Sequence, residues 1–192
     1  MNNILIINGH PDKESYNYAL ANAYKKGALA TSANIEEVNI ADLDFNPNLE
    51  FGYRKRTELE TDLLLAIEKI KRADHLVWVF PMWWYGLPAL TKGFIDRTFL
   101  PGITFETVQG KAFPKKLLKG KSARLIITAD TPKWYDSIFM KSPLINQFKK
   151  GTLQFCGVNP VKTTFLAPIK ASNDAQRQKW LHKVEELGKG LK

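Results

Sequence analysis

Short apolar runs alternate with stretches of helical spacing along the chain, a pattern that leaves little open besides a parallel sheet covered by helices on both faces. Asn3 to Asn8 is an unbroken Ile-Leu-Ile-Ile between two asparagines, as a strand buried on both sides requires. Ser15 to Ala30 sets Tyr16, Leu20, Ala23 and Tyr24 on one helical stripe, behind capping oxygens from Asp12 to Ser15. The weaker alternation of Ile35 to Ile40 carries Glu36 and Glu37 and reads as an edge strand. Ala41 to Arg56 has neither period and reads as a long surface loop. A second helix is expected over Glu58 to Arg72, a third strand over His75 to Phe80, and a third helix over Leu87 to Phe99. Pro101 to Gly120, rich in Gly, Pro and Lys, is expected to form a short hairpin over Ile103 to Val108 and to cover a cleft or meet a partner. A fourth strand follows at Ala123 to Ala129, a helix at Leu144 to Phe155, a fifth strand at Val161 to Leu166, and a last helix from Ala171 toward Leu191. Gly188 and Gly190 are expected to fray that helix.

Five strands in this alternation predict an α/β architecture: a flavodoxin-like, doubly wound, five-stranded parallel sheet in the order 2-1-3-4-5. At 192 residues and 44% hydrophobic, the chain suits one domain spanning residues 1–192. No apolar run approaches the ~20 residues of a membrane span, and Met1-Asn2-Asn3 enters a strand without a signal-peptide pattern, so a cytoplasmic protein without membrane insertion is expected. Cys156 is the one cysteine, which excludes an internal disulfide and a cysteine-built metal site. The net charge of +9 raises the question of nucleic acid, but the lysines are dispersed and no helix-turn-helix, zinc knuckle or RNA-binding motif is present. No nucleic-acid partner is expected; the charge is suited to attracting an anionic cosubstrate.

In the order 2-1-3-4-5, strands one and three part at their C-terminal ends, and ligands bind in the crevice so formed. Three loops meet there. Gly9 to Asn17 leads into a helix N-terminus and reads as a phosphate cradle, with hydrogen bonds from Ser15 and Asn17 and positive charge from His10 and Lys13. A capped helix with a satisfied histidine is the plain alternative. Pro81-Met82-Trp83-Trp84-Tyr85-Gly86 follows an apolar strand with aromatic area that is costly to leave in water, and a flat ring such as a flavin's isoalloxazine fits it. A core aromatic cluster is its alternative. Thr128 to Tyr135 offers hydroxyls, N–H groups and two aromatics; Tyr135 reads as a proton donor or a stacking residue, or the loop is a surface turn held by Asp130 and Pro132.

The stretch Phe80-Pro-Met-Trp-Trp-Tyr-Gly-Leu-Pro-Ala-Leu-Thr-Lys-Gly-Phe-Ile-Asp-Arg-Thr-Phe99 resembles the signature of the NAD(P)H:quinone oxidoreductases. His10 to Asn17, Phe45-Asn46-Pro47, Phe155-Cys156-Gly157 and Arg177 to Trp180 extend the resemblance over nearly the whole chain. It implies a homodimer with a flavin cofactor, FAD or FMN, which takes a hydride from the cosubstrate NAD(P)H and passes two electrons to a quinone or similar flat acceptor in a ping-pong cycle. By position, His10, Ser15, Tyr16 and Asn17 would hold the flavin's phosphate arm. Pro81, Met82, Trp83, Trp84 and Tyr85 would hold its ring, and Thr128, Asp130 and Thr131 would complete the pocket. Tyr135 stands where the family has a catalytic tyrosine, while Asp130-Thr131 replaces a Gly-Gly pair of its mammalian members. No histidine lies between His75 and His182 to match the family's relay. Lys92, Gly93, Phe94 and Asp96 to Phe99 would make dimer contacts. Relatives of the same fold also serve as ancillary subunits of potassium-efflux systems, which is the alternative expectation.

Overall fold

A computed structural model describes residues 2–191. Five parallel strands, β1 (Asn3–Asn8), β2 (Asn34–Asn39), β3 (His75–Pro81), β6 (Ser122–Thr128) and β7 (Val161–Leu166), form one sheet in the order β2-β1-β3-β6-β7. With the small pair β4 (Phe105–Glu106) and β5 (Lys115–Lys116) set aside, this is the expected 2-1-3-4-5 order.

The pleat sends successive side chains to opposite faces, and both faces are dry. Leu5, Ile7, Trp78, Phe80, Leu125 and Ile127 pack on one side beneath α2 (Thr61–Arg72), α3 (Ala89–Thr98) and the helical segment around Phe148. Ile4, Ile6, Val77, Val79 and Ile126 pack on the other, beneath α1 (Tyr16–Leu29) and α6 (Asp174–Lys189). β2 pairs only with β1, as its glutamates foretold for an edge.

Several expectations give way for identifiable reasons. Gly188 does not fray α6. It is buried at the crossing with α1, where an added Cβ would run into the Tyr24 carbonyl, so glycine here permits close helix approach. The second helix starts at Thr61 instead of Glu58, because Glu60 is held extended, its carboxylate accepting from the Asn46 N–H and from Arg97. The hairpin placed at Ile103 to Val108 is instead the pairing of β4 with β5, with Leu118 donating its N–H to the Cys156 carbonyl.

The short α5 (Pro143–Ile145) runs into a π-helical segment, Asn146–Gln154. The wider winding brings Leu153 onto the buried face with Phe148, where an ordinary α-helix would have pointed Gly151 or Thr152. The third loop is also shorter than expected, since α4 (Lys133–Ile138) begins inside it.

Residues assigned by resemblance to dimer contacts are largely internal. Phe94, Arg97 and Thr98 are buried within the chain, and Gly93 lies against Pro47, whose carbonyl would be 2.7 Å from an added Cβ. Sequence reasoning could not foresee that Arg97 would be consumed by the chain's own long loop.

His75 opens β3 at the end of the sheet opposite the crevice, its Nδ1 hydrogen-bonded to the Ser122 hydroxyl at 2.7 Å. Burial, reinforced by the positive charges of Arg124 and Lys162, pulls its pKa down from 6.5 to about 4. Below about pH 6.5 the unfolded chain takes up a proton here that the folded chain refuses until about pH 4. Stability from this group is therefore complete above pH 6.5 and falls by about 3 kcal/mol as pH drops to 4. Urea titrations between pH 7 and 4 should record that loss, and His75→Gln should remove this component of it.

Candidate functional site

At the C-terminal ends of β1, β3 and β6 the chain opens a cleft of about 230 Å³, lined by His10, Ser15, Tyr16, Asn17, Pro81, Met82, Trp83, Thr128, Ala129, Asp130, Ile169 and Lys170. Divergence of β1 and β3 at the reversal of strand order places it there. The register carries β3 one residue beyond the expected end, to Pro81 opposite Thr128, and Met82 then donates its N–H to the Thr128 carbonyl at 2.7 Å.

The floor is made by the start of α1. Ser15 occupies the cap position, yet its hydroxyl makes no capping bond and is buried without a partner. Asn17, only 4% exposed, accepts the Thr128 hydroxyl on Oδ1 at 3.0 Å, which leaves its buried Nδ2 with no acceptor. Such unmet hydrogen bonds are costly wherever they occur in the fold, and these two belong to residues that line the cleft, where a polar ligand would supply the missing partners. Beside them, the unpaired amides of a helix N-terminus favour negative charge.

His10 stands at the wall, edge-on to Trp83 with ring centroids 5.6 Å apart. Its Nδ1 accepts the Asp12 N–H at 3.0 Å, so the neutral ring carries its proton on Nε2, a donor. Burial is the largest cause of a pKa below the ordinary histidine value, with Asp12 partly opposing it. Tyr16 lines the cleft with its ring while its hydroxyl donates to the Arg177 carbonyl at 2.7 Å. Lys13 supplies no charge to the cradle, being paired with Asp42.

The aromatic loop is a tight hairpin: Trp83 and Gly86 exchange backbone hydrogen bonds of 3.1 and 2.8 Å around Trp84 and Tyr85. Both central residues have positive φ, 50° and 57°, a conformation that favours Asn or Gly and strains bulky side chains. Trp84 gains nothing in return within the chain, for it is fully exposed, while Tyr85 packs partly on the core. Replacing Trp84 by asparagine should therefore raise the stability of the ligand-free protein by about 0.5–1 kcal/mol, read from the denaturation midpoint. A loss of stability would show that Trp84 makes contacts the turn geometry does not reveal.

Of the residues expected at the site, His10, Ser15, Tyr16, Asn17, Pro81, Met82, Trp83, Thr128 and Asp130 line the cleft, whereas Trp84, Tyr85, Thr131 and Tyr135 do not. Asp130 is already engaged: its carboxylate accepts the Lys170 N–H at 2.8 Å and lies 3.4 Å from the Lys170 ammonium. Tyr135 sits on α4, stacked on Phe139 with centroids 5.2 Å apart and edge-on to Trp134. Ile169 and Lys170, from the loop after β7, were not foreseen, because the strand-order rule points only to the ends of β1 and β3. The available signal was an isolated isoleucine just past the last strand, between Pro168 and Lys170.

The profile of the family described as having a flavodoxin-like fold matches residues 2–188. A Haemophilus influenzae protein named as an uncharacterized NAD(P)H oxidoreductase is 27% identical over 181 residues, covering 92% of this chain and 89% of that protein. Human ribosyldihydronicotinamide dehydrogenase [quinone] is 27% identical over 218 residues, covering 97% of this chain and 92% of that protein. Among solved structures, Smu.1420 from Streptococcus mutans UA159 superposes with a TM-score of 0.87 at 31% identity, covering 98% of this chain and 99% of that one.

Proposed function

The chain belongs to the family of the flavodoxin-like fold, and on that footing we propose that it is a flavin-dependent oxidoreductase that moves two electrons from NAD(P)H to a quinone or similar flat acceptor. The observation that carries the reading is the pair of buried, unpartnered groups, Ser15 Oγ and Asn17 Nδ2, at the helix start that floors the cleft. They fit the phosphate arm of FAD or FMN. The names of the human and Haemophilus relatives support the choice of quinone and NAD(P)H.

When bound, the flavin supplies the hydride chemistry, accepting from NAD(P)H and giving to the acceptor. The side chains have binding and orienting work. Ser15, Asn17 and the first amides of α1 take the phosphate oxygens, with His10 Nε2–H as a further donor. Pro81, Met82, Trp83, Thr128 and Ala129, which line the same cleft, would hold the flavin's ring. Lys170 stands at the rim paired with Asp130, so like Lys13 it adds no net charge there. Tyr135, outside the cleft with its ring stacked on Phe139, has no role in the cleft on this reading unless α4 moves when the acceptor binds. Because one cleft serves donor and acceptor in turn, the kinetics are ping-pong. A homodimer accords with the exposed Trp84, Trp134, Ile138 and Phe139, apolar area that a second copy can cover.

Steady-state assays with NADH or NADPH against a benzoquinone test the reading: parallel double-reciprocal lines are expected. The reading fails if protein supplied with FMN or FAD shows no turnover with either nucleotide.

A further inference from the structure

Thr91 lies in the first turn of α3, outside the cleft, and is completely buried. A threonine hydroxyl inside a helix ordinarily bonds a carbonyl of its own preceding turn. Thr98 of the same helix does so, donating to the Phe94 carbonyl at 2.6 Å. Thr91 instead turns away from its helix and donates to the carbonyl of Gly9 at 2.7 Å, eighty-two residues away in sequence.

Gly9 is in turn gripped from every side. Its N–H donates to the Val79 carbonyl at 2.8 Å, and a Cβ at this position would collide with Thr91 Oγ1 and lie 3.1 Å from Thr91 Cγ2 and 3.2 Å from Phe80 Cβ. The next N–H, that of His10, donates to Asn8 Oδ1 at 3.1 Å. The peptide between Gly9 and His10 is therefore held at its oxygen by Thr91 and at its nitrogen by Asn8. That plane fixes where the His10 side chain leaves the backbone, and the His10 ring lines the cleft beside Trp83.

We propose that Thr91 is a positioning residue for the cofactor cleft: its hydroxyl orients the Gly9–His10 peptide and so aims the His10 ring at the bound phosphate group without touching the ligand. This rests on the proposed flavin site, and it names a residue that the cleft's own lining does not show. The hydroxyl, and not the side chain's bulk, carries the effect. Without it the buried Gly9 carbonyl has no donor, and the peptide is free to rotate toward one.

Two substitutions separate hydroxyl from bulk. Thr91→Val keeps the shape and removes the donor; Thr91→Ser keeps the donor and removes a methyl. FMN and FAD affinities are read by fluorescence titration, and the His10 ring resonances by NMR in the ligand-free protein. Ile70→Val, on the buried face of α2, controls for a general loss of stability. Thr91→Val is expected to shift the His10 resonances and to weaken flavin binding by about tenfold, the equivalent of a single oriented hydrogen bond. Thr91→Ser should retain wild-type behaviour in both readings, and Ile70→Val should leave both unchanged. Unmoved His10 resonances in Thr91→Val, unweakened binding in that variant, or a Thr91→Ser protein as impaired as Thr91→Val would each overturn the proposal. A wild-type protein that binds neither FMN nor FAD would instead overturn the flavin site itself, and the NMR comparison would still decide whether Thr91 sets His10.

Discussion

Replacing Arg97 by methionine is expected to cost the fold about 3–5 kcal/mol, the range for removing one partner of a buried ion pair. Arg97 has no exposed surface, and its guanidinium donates to the carbonyls of Asn46 and Glu58, each at 2.5 Å, and to the Glu60 carboxylate at 2.8 and 3.2 Å. One side chain on α3 thus ties Asn46, inside the long connection between β2 and α2, to Glu58 and Glu60 at its end. Methionine fills the space but leaves two carbonyls without their donor and a carboxylate without its counter-charge. Lysine should fare little better, because an ammonium cannot reach the three acceptors in the fork geometry they are arranged for. Urea denaturation measures the loss directly, and limited proteolysis should cut faster between Leu49 and Thr57. A cost under about 1 kcal/mol would mean that the connection is held by other contacts.

Exchanging Asn17 for aspartate is expected to weaken flavin binding at least about 100-fold, or about 3 kcal/mol, and to cost the ligand-free fold part of its stability, because a carboxylate at a position only 4% exposed loses its hydration. The change is isosteric, and the Thr128 hydroxyl can still donate to Oδ1. What changes is the other atom: the buried Nδ2, a donor without a partner, becomes a carboxylate oxygen at the proposed phosphate site. Repulsion between like charges at a position this buried is worth several kcal/mol. Flavin titration by fluorescence checks it, with circular dichroism to confirm folding. Undiminished affinity would place the phosphate elsewhere.

Strand order and cleft position were legible because they depend on local patterns. Ile4 to Ile7, Leu76 to Phe80 and Ala123 to Ala129 declare buried strands by composition alone, and the order of strands then dictates where loops converge. For the same reason nine of the expected site residues line the cleft. What escaped depends on partners distant in sequence. Nothing near Arg97 announces that it will bind Asn46 and Glu58, and nothing near Thr91 announces Gly9. The π-helical winding at Asn146–Gln154 answers to the position of Leu153 in a core whose shape no single segment encodes. Trp84 and Tyr85 were read as a platform from their type. The turn that lifts Trp84 wholly into solvent is a property of backbone dihedrals that aromatic residues ordinarily avoid.

The central claim, that the cleft between the ends of β1 and β3 holds a redox-active flavin, is tested most directly by an absorption spectrum of the purified protein, supplied with FMN or FAD if it is colourless. The account predicts bound flavin bands that bleach on anaerobic addition of NADH or NADPH and return on addition of a benzoquinone, with mass spectrometry of the released compound naming the cofactor. A protein that retains neither flavin, or whose bound flavin is not bleached by either nucleotide, would contradict it.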